Sequence, residues 1–105
     1  ELAGQRRKEE DLARIDAALE SGQRTVAAGE NFAACDAEFH LAVAAATRNS
    51  VLRRVVNSFY LLSRTRRWHY FADGRRAPEA QRQHTAMAAA IRAVSSRGVK
   101  STEPE

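Results

Sequence analysis

The sequence has little of what several common protein classes require. A single cysteine in 105 residues excludes an internal disulfide framework and fits a reducing compartment. The longest apolar runs, such as residues 41–46, are far too short to span a bilayer, and no charged and then apolar leader opens the chain. The sequence also lacks a glycine-rich phosphate loop, a nucleophile elbow and an HExxH motif. We therefore expect a cytoplasmic protein that has no membrane partner, no catalytic residues and no enzymatic activity.

Proline and glycine are also scarce, with two and five residues, whereas alanine is the commonest residue. Long helices therefore meet few residues that would break them. We predict an all-α fold, in which four amphipathic helices with short connections form an antiparallel bundle. The net charge of +4 is mild and its basic residues are interspersed with acidic ones, so acidic partners are permitted without being required.

Capping and turn residues mark the expected ends of these helices. The first helix should end at Gly29, which suits the left-handed position after a helix. Asn31 and Asn49 are expected to cap the second and third helices. The third should run as far as a turn at residues 73–74, and Pro78 should be the first residue of the fourth.

After Val94 the helical pattern fades into a polar stretch. We therefore expect a helical effector domain over residues 1–94, with a partial first helix, and a polar, disordered tail over residues 95–105. Two apolar stripes are expected to face the core. The third helix carries Leu52, Val55, Val56, Phe59, Leu62 and Tyr70, and the fourth carries His84, Met87, Ile91 and Val94.

A possible metal site arises from the second and fourth helices. Asp36 and His40 are four residues apart and therefore share a helix face, at the edge of an apolar stripe. His84 is predicted to face the core from the fourth helix. A carboxylate and two imidazoles are a workable face for Zn²⁺, Ni²⁺ or a similar divalent ion. The alternative is that Asp36 pairs with an arginine and both histidines are ordinary residues at the edge of the core.

The third helix adds a group of arginines. Arg66 continues the apolar stripe of that helix, and an inward arginine near a metal favours bidentate recognition of a carboxylate ligand. Arg66 and its neighbour Arg67 are therefore the candidate effector-binding residues, although Arg66 could instead form a salt bridge with Asp36 or a glutamate. The other arginines and Trp68 could form a nucleic-acid surface, but we favour a solvated helix face, with His69 exposed on it.

Several segments in this order resemble one family. They are residues 10–12 (EDL), 36–40 (DAEFH), 46–52 (ATRNSVL) and 83–84 (QH) followed by 90–91 (AI). The combination of D-x-x-F-H, T-x-N-x-x-L and H-x-x-x-x-x-A-I is similar to the C-terminal effector-binding (FCD) domain of GntR-family, FadR-like transcriptional regulators. The resemblance extends from about Leu2 to about Ala93.

This resemblance implies an antiparallel bundle that binds a small organic-acid effector in a central cavity. It also implies a divalent metal ion held by one aspartate and three histidines, the first three of which match Asp36, His40 and His84. The family's fourth ligand is a histidine on a final helix, and no histidine follows His84. We therefore expect an incomplete or altered C-terminal helix.

The resemblance further implies a homodimer that contacts DNA only through an N-terminal winged helix-turn-helix, which these 105 residues do not contain. We therefore predict the ligand-sensing and dimerisation domain of a bacterial transcriptional regulator. The alternatives are a small helical metal-dependent hydrolase and a structural helical interaction domain without metal.

Overall fold

Five α-helices and no strand make up the part of the chain that the computed structural model describes, which is residues 2–101 for the backbone and 2–96 for the side chains. The helices are α1 (Leu2–Ala28), α2 (Ala33–Ala46), α3 (Ser50–Leu62), α4 (Arg64–Tyr70) and α5 (Ala77–Ser101). The predicted all-α helical bundle is therefore confirmed. Within these residues no helix combines the length and the apolarity that crossing a bilayer requires.

Two clusters of buried side chains form the core, and both include α2. The first joins α1, α2 and α5 through Ile15, Ala18, Phe39, Ala42 and Ala88. The second surrounds the start of α2 and consists of Phe32, Ala33, Cys35, Phe71 and Ala77. Phe32 and Phe39 are fully buried and lie two turns apart on α2. Each contributes about 1.5–3 kcal/mol through burial, so α2 is held firmly between its neighbours.

The helix ends follow the expected capping chemistry at three positions. Gly29 has a φ of 68° and follows the last residue of α1, as predicted. The Asn49 side chain accepts a hydrogen bond from the Leu52 backbone N–H at 3.0 Å and caps α3. Asn31 Oδ1 accepts from the Ala33 N–H at 2.9 Å, although the residue at the N-cap position is Phe32. The two asparagine side chains each accept a hydrogen bond from a backbone N–H that has no partner within its own helix.

The expected third helix is interrupted, so the prediction of one helix up to residues 73–74 is wrong. The interruption falls at Ser63, between α3 and α4. The Ser63 hydroxyl donates to the Phe59 carbonyl at 2.6 Å and accepts from Arg67 Nε at 3.1 Å. A serine side chain that bonds a backbone carbonyl competes with the helical hydrogen-bond ladder.

The prediction that the apolar stripe of the third helix faces the core is also wrong. Leu52, Val55, Phe59, Leu62 and Tyr70 are 40% to 89% exposed, and α3 has no buried residue. The physical reason is that α3 packs mainly against α2 and α4, and the described residues place no further helix over its outer face. Periodicity identifies an apolar face but does not say what covers it.

The last helix is longer than the pattern indicated. The helix α5 begins at Ala77, one residue before Pro78, and continues to Ser101. The expected disordered tail is therefore wrong for residues 95–101, and residues 102–105 lie outside the described part. Serine and arginine cost little in a helix, and Gly98 costs only about 1 kcal/mol relative to alanine. The domain boundary at residue 94 stays a prediction.

Candidate metal centre and effector cleft

Helix geometry brings the three candidate metal ligands together. Asp36 and His40 stand one turn apart on α2, and α5 carries His84 to the same point. The Nε2 atom of His84 lies 3.1 Å from Asp36 Oδ1, and the Nε2 atom of His40 lies 3.4 Å from the same oxygen. One ligand atom from each residue falls within 4.8 Å of the other two.

The imidazole of His84 is held in place by aromatic contacts. Its ring stacks on Phe39 with the centroids 4.2 Å apart and an angle of 8° between the planes, and it lies 5.5 Å from the ring of Phe32. His84 is only 3% exposed. Because the core fixes this ring, the nitrogen that faces Asp36 is positioned before any ligand arrives.

The imidazole of His40 is more accessible than that of His84, with 30% of its side chain exposed. Its ring meets Phe39 edge-on at 5.4 Å and stacks on Tyr60 at 5.7 Å. One of the two histidines is therefore buried, and the other stands at the rim of the site.

The electrostatics of the site favour an ionised carboxylate. Burial alone would raise the pKa of the Asp36 carboxyl, but hydrogen bonds to His40 and His84 and the charge of both imidazoles hold that pKa well below its usual range. Arg67 NH1 adds a positive group 3.9 Å from Asp36 Oδ2. The carboxylate therefore presents a full negative charge in a half-buried position.

This donor set fits a divalent transition metal. Two imidazole nitrogens and one carboxylate oxygen are the ligand types that Zn²⁺ and Ni²⁺ accept. Ligand atoms about 2.0–2.2 Å from a tetrahedral ion are separated by about 3.3–3.6 Å. The distance from Asp36 Oδ1 to His40 Nε2, 3.4 Å, falls in this range, and the distance to His84 Nε2, 3.1 Å, is slightly shorter.

The two candidate arginines both line the cleft over the candidate metal ligands, but they are placed differently. Arg66 was expected to point inward, and this is wrong, because its side chain is exposed. The side chain of Arg67 is mostly buried instead. Its guanidinium donates hydrogen bonds to Ala33 O at 2.9 Å, Tyr60 O at 3.0 Å and Ser63 Oγ at 3.1 Å. Arg66 continues the stripe of Leu52, Val55, Phe59 and Leu62, which is itself exposed, whereas Arg67 continues the partly buried face of Tyr60 and Ser63.

A cleft of about 430 Å³ opens over the candidate ligands. Its lining comes from α2, α3, α4, α5 and the α4–α5 connection, and includes Asp36, His40, His84, Phe59, Tyr60, Arg66, Gln83 and Met87. This volume lies within the range of small-molecule sites. Arg66 therefore lines the cleft from its rim even though it is not buried.

Tyr60 and Gln83 are cleft residues that the sequence did not indicate. Burial, reinforced by the charge of Asp36, raises the pKa of Tyr60 to about 12, although Arg67 opposes this shift. The tyrosine therefore remains a neutral hydroxyl that can donate a hydrogen bond. Nothing in the sequence separates Tyr60 from its neighbour Phe59, since both fall near the same stripe.

Three other residues with reactive or titratable side chains lie away from this cleft. His69 is exposed, as predicted. Cys35 is buried, and its thiol lies 3.1 Å from Thr25 Oγ1. Glu38 is exposed and lines a different, neighbouring cleft. Glu38 is therefore not placed to serve as a general base beside a metal at Asp36.

Comparison with known families gives one match. The family model described as FCD domain matches residues 1–102, which is nearly the whole chain. No curated protein and no solved structure matches the sequence.

Proposed function

Because this chain belongs to the FCD family of regulatory effector-binding domains, we propose that it senses a small carboxylate metabolite at a divalent metal ion. The metal ligands in this proposal are Asp36, His40 and His84. The observation that carries it is the convergence of two imidazole nitrogens on one carboxylate oxygen, at 3.1 Å and 3.4 Å, at the base of a cleft.

A bound Zn²⁺ or Ni²⁺ would supply a Lewis-acidic position for a carboxylate oxygen, because three protein ligands leave coordination positions open. The protein supplies the rest of the recognition. Arg66 makes no hydrogen bond or ion pair with the residues the structure describes, so its planar fork is available to a second carboxylate oxygen or a second carboxylate. The amide of Gln83 lines the same cleft.

Arg67 contributes to effector binding in a different way. Its Nε, NH1 and NH2 groups already donate to the start of α2, the end of α3 and the α3–α4 junction. We propose that Arg67 adds positive charge and holds the wall of the cleft, while Arg66 contacts the effector.

We also propose a homodimer that presents a separate DNA-binding domain in a bacterial cytoplasm. Support comes from the outer face of α3, where Val51, Val55, Phe59 and Leu62 recur at spacings of four, four and three and are all more than half exposed. Effector binding would regulate DNA binding if it favoured one arrangement of the dimer through a difference in affinity. Contact with DNA would be made by the separate domain.

Thermal unfolding with a panel of organic acids, each with and without Zn²⁺ or Ni²⁺, tests the sensing role. We expect the metal to raise the unfolding temperature and one or more acids to raise it further. Asp36→Asn should remove both increments. Asp16→Asn is the matched control, because Asp16 is half exposed and pairs with Arg92 on the surface. If no acid shifts the transition under either condition, the sensing proposal is wrong.

A further inference from the structure

A second cleft, of about 830 Å³, lies beside the cleft over the candidate metal ligands, along a neighbouring face of α2. Ala33, Ala37 and Leu41 recur every four residues and form its floor. Leu61 and Trp68 form the facing wall, on α3 and α4. The space exists because the alanine side chains are too short to reach that wall. We call this cleft the α2 groove.

The α2 groove is separate from the cleft over the candidate metal ligands. Tyr60 and Arg67 line both and form the partition between them. The Arg67 guanidinium lies 4.4 Å above the ring of Tyr60 and is held by backbone carbonyls on α2 and α3. Asp36 and His84 do not line the α2 groove, so a ligand there would not touch the metal ligands.

One end of the α2 groove leads to a group of arginines. Leu41 and Asn57 line both the groove and an adjoining pocket of about 380 Å³, to which Arg14, Arg53 and Arg54 belong. These three arginines are exposed, and within the described residues their guanidinium groups make no hydrogen bond or ion pair. Unpaired guanidinium groups from two helices therefore meet where the apolar groove ends.

The remaining charges of the groove do not cancel this positive end. Arg64 lines the groove as well, and the one acidic side chain among its lining residues is Glu38, which is exposed. The apolar floor from Ala33 to Leu41 is about 12 Å long, at about 1.5 Å per residue along the helix. The groove therefore combines an elongated apolar body with a cationic end.

We propose that the α2 groove and the three arginines form a second ligand site, for a single-chain amphiphilic anion. Its aliphatic or aromatic body would lie along Ala33–Leu41, and its phosphate-class head would contact Arg14, Arg53 and Arg54. The groove volume falls in the range for small molecules. Guanidinium groups suit phosphate oxygens because their N–H donors form a planar fork. This site is independent of the effector site proposed above.

Trp68 makes the proposal directly testable, because it is the only tryptophan and it lines the groove. The experiment titrates the protein with decyl phosphate below its micelle concentration and follows tryptophan fluorescence. We expect a saturable change. Decanol has the apolar chain without the charge, and inorganic phosphate has the charge without the chain. Each should bind at least about tenfold more weakly than decyl phosphate, because it loses either the charge-assisted or the apolar contacts.

Three variants locate the binding. The double substitution Arg53→Gln with Arg54→Gln should weaken the binding of decyl phosphate by about tenfold or more. The control substitution Arg75→Gln, at an exposed arginine paired with Asp73, should leave this affinity unchanged. Ala37→Phe, which fills the groove without altering charge, should abolish binding.

Several results would overturn the second site. They are the absence of a saturable change, equal affinity for decanol, and indifference to the arginine or Ala37 substitutions. Loss of binding in Asp36→Asn would place the ligand in the other cleft instead. Sedimentation of the same samples completes the test. If the chain self-associates through the α2 groove and decyl phosphate does not bind, the occupant is a second copy and the proposal is wrong.

Discussion

The same substitution at two adjacent arginines on α4 should have different effects: at Arg67 it should lower the stability of the fold, and at Arg66 it should weaken effector binding. Arg67 is 13% exposed in its side chain and donates hydrogen bonds to Ala33 O, Tyr60 O and Ser63 Oγ. Arg66 is exposed and has no such partner in the described residues. Methionine keeps the length and much of the apolar stem of arginine but removes every donor. We therefore compare Arg67→Met with Arg66→Met.

The magnitude follows from the bonds that are lost. Two of the Arg67 bonds join a charged donor to backbone carbonyls, and bonds of this kind contribute about 1.5–3 kcal/mol each. The carbonyl of Tyr60 lies in the last turn of α3, where the helix itself supplies no donor. We take the lower end of the range because the guanidinium is not fully enclosed. Arg67→Met should then lower the free energy of unfolding by about 3 kcal/mol.

Urea denaturation measures this difference. With an m value of about 1.5 kcal/mol per molar urea, the midpoint should fall by about 2 M for Arg67→Met. Arg66→Met should change the free energy by no more than about 0.5 kcal/mol, yet it should reduce the thermal shift that a carboxylate effector produces. If the two variants lose similar stability, Arg67 does not hold the α2–α3–α4 junction and this reasoning is refuted.

Four further predictions concern stability and assembly. Asp11→Asn should lower the free energy of unfolding by about 1–2 kcal/mol, as measured by urea denaturation, because Asp11 is buried and accepts two hydrogen bonds from Arg48. Arg48 has a φ of 61°, so Arg48→Gly should be more stable than Arg48→Ala by about 1 kcal/mol. Gly22→Ala should destabilise rather than stabilise α1, by about 1–3 kcal/mol, since the new Cβ would lie 2.3 Å from Gln81 Oε1. Val55→Glu should convert the proposed dimer into a monomer by sedimentation.

Each of these four predictions has a result that would contradict it, beginning with an unchanged urea midpoint for Asp11→Asn. Equal stabilities of Arg48→Gly and Arg48→Ala would mean that the left-handed backbone at this position is not strained. A Gly22→Ala variant that is more stable than the parent would show that Gln81 moves away at little cost. A sedimentation mass for Val55→Glu that equals the parent's mass would remove the outer face of α3 from the dimer interface.

The sequence located the three candidate ligands because each depends on a short-range rule. The spacing of Asp36 and His40 places them on one helix face. His84 is buried as predicted, whereas Met87 and Val94 of the same predicted stripe are exposed, so the prediction that the whole stripe faces the core is wrong. These rules need only helical periodicity, which a long alanine-rich helix obeys. The role of the three residues as metal ligands stays a prediction.

Longer-range features could not be predicted in the same way. The interruption at Ser63 depends on a hydrogen-bond network that includes Arg67 and Tyr60, and no local residue such as glycine or proline marks it. Which of Arg66 and Arg67 points inward depends on which face of α3 and α4 packs against α2, and periodicity alone does not say this. The α2 groove was not visible either, because it arises from volume that Ala33 and Ala37 fail to fill.

Metal analysis of the purified domain tests the central claim most directly. After exposure to Zn²⁺ or Ni²⁺ and removal of free ions, the parent should retain about one ion per chain. Asp36→Asn and His84→Gln should each lose it, whereas the surface control Asp16→Asn should keep it. A parent that binds no metal, or variants that bind as much as the parent, would contradict the proposed role of Asp36, His40 and His84.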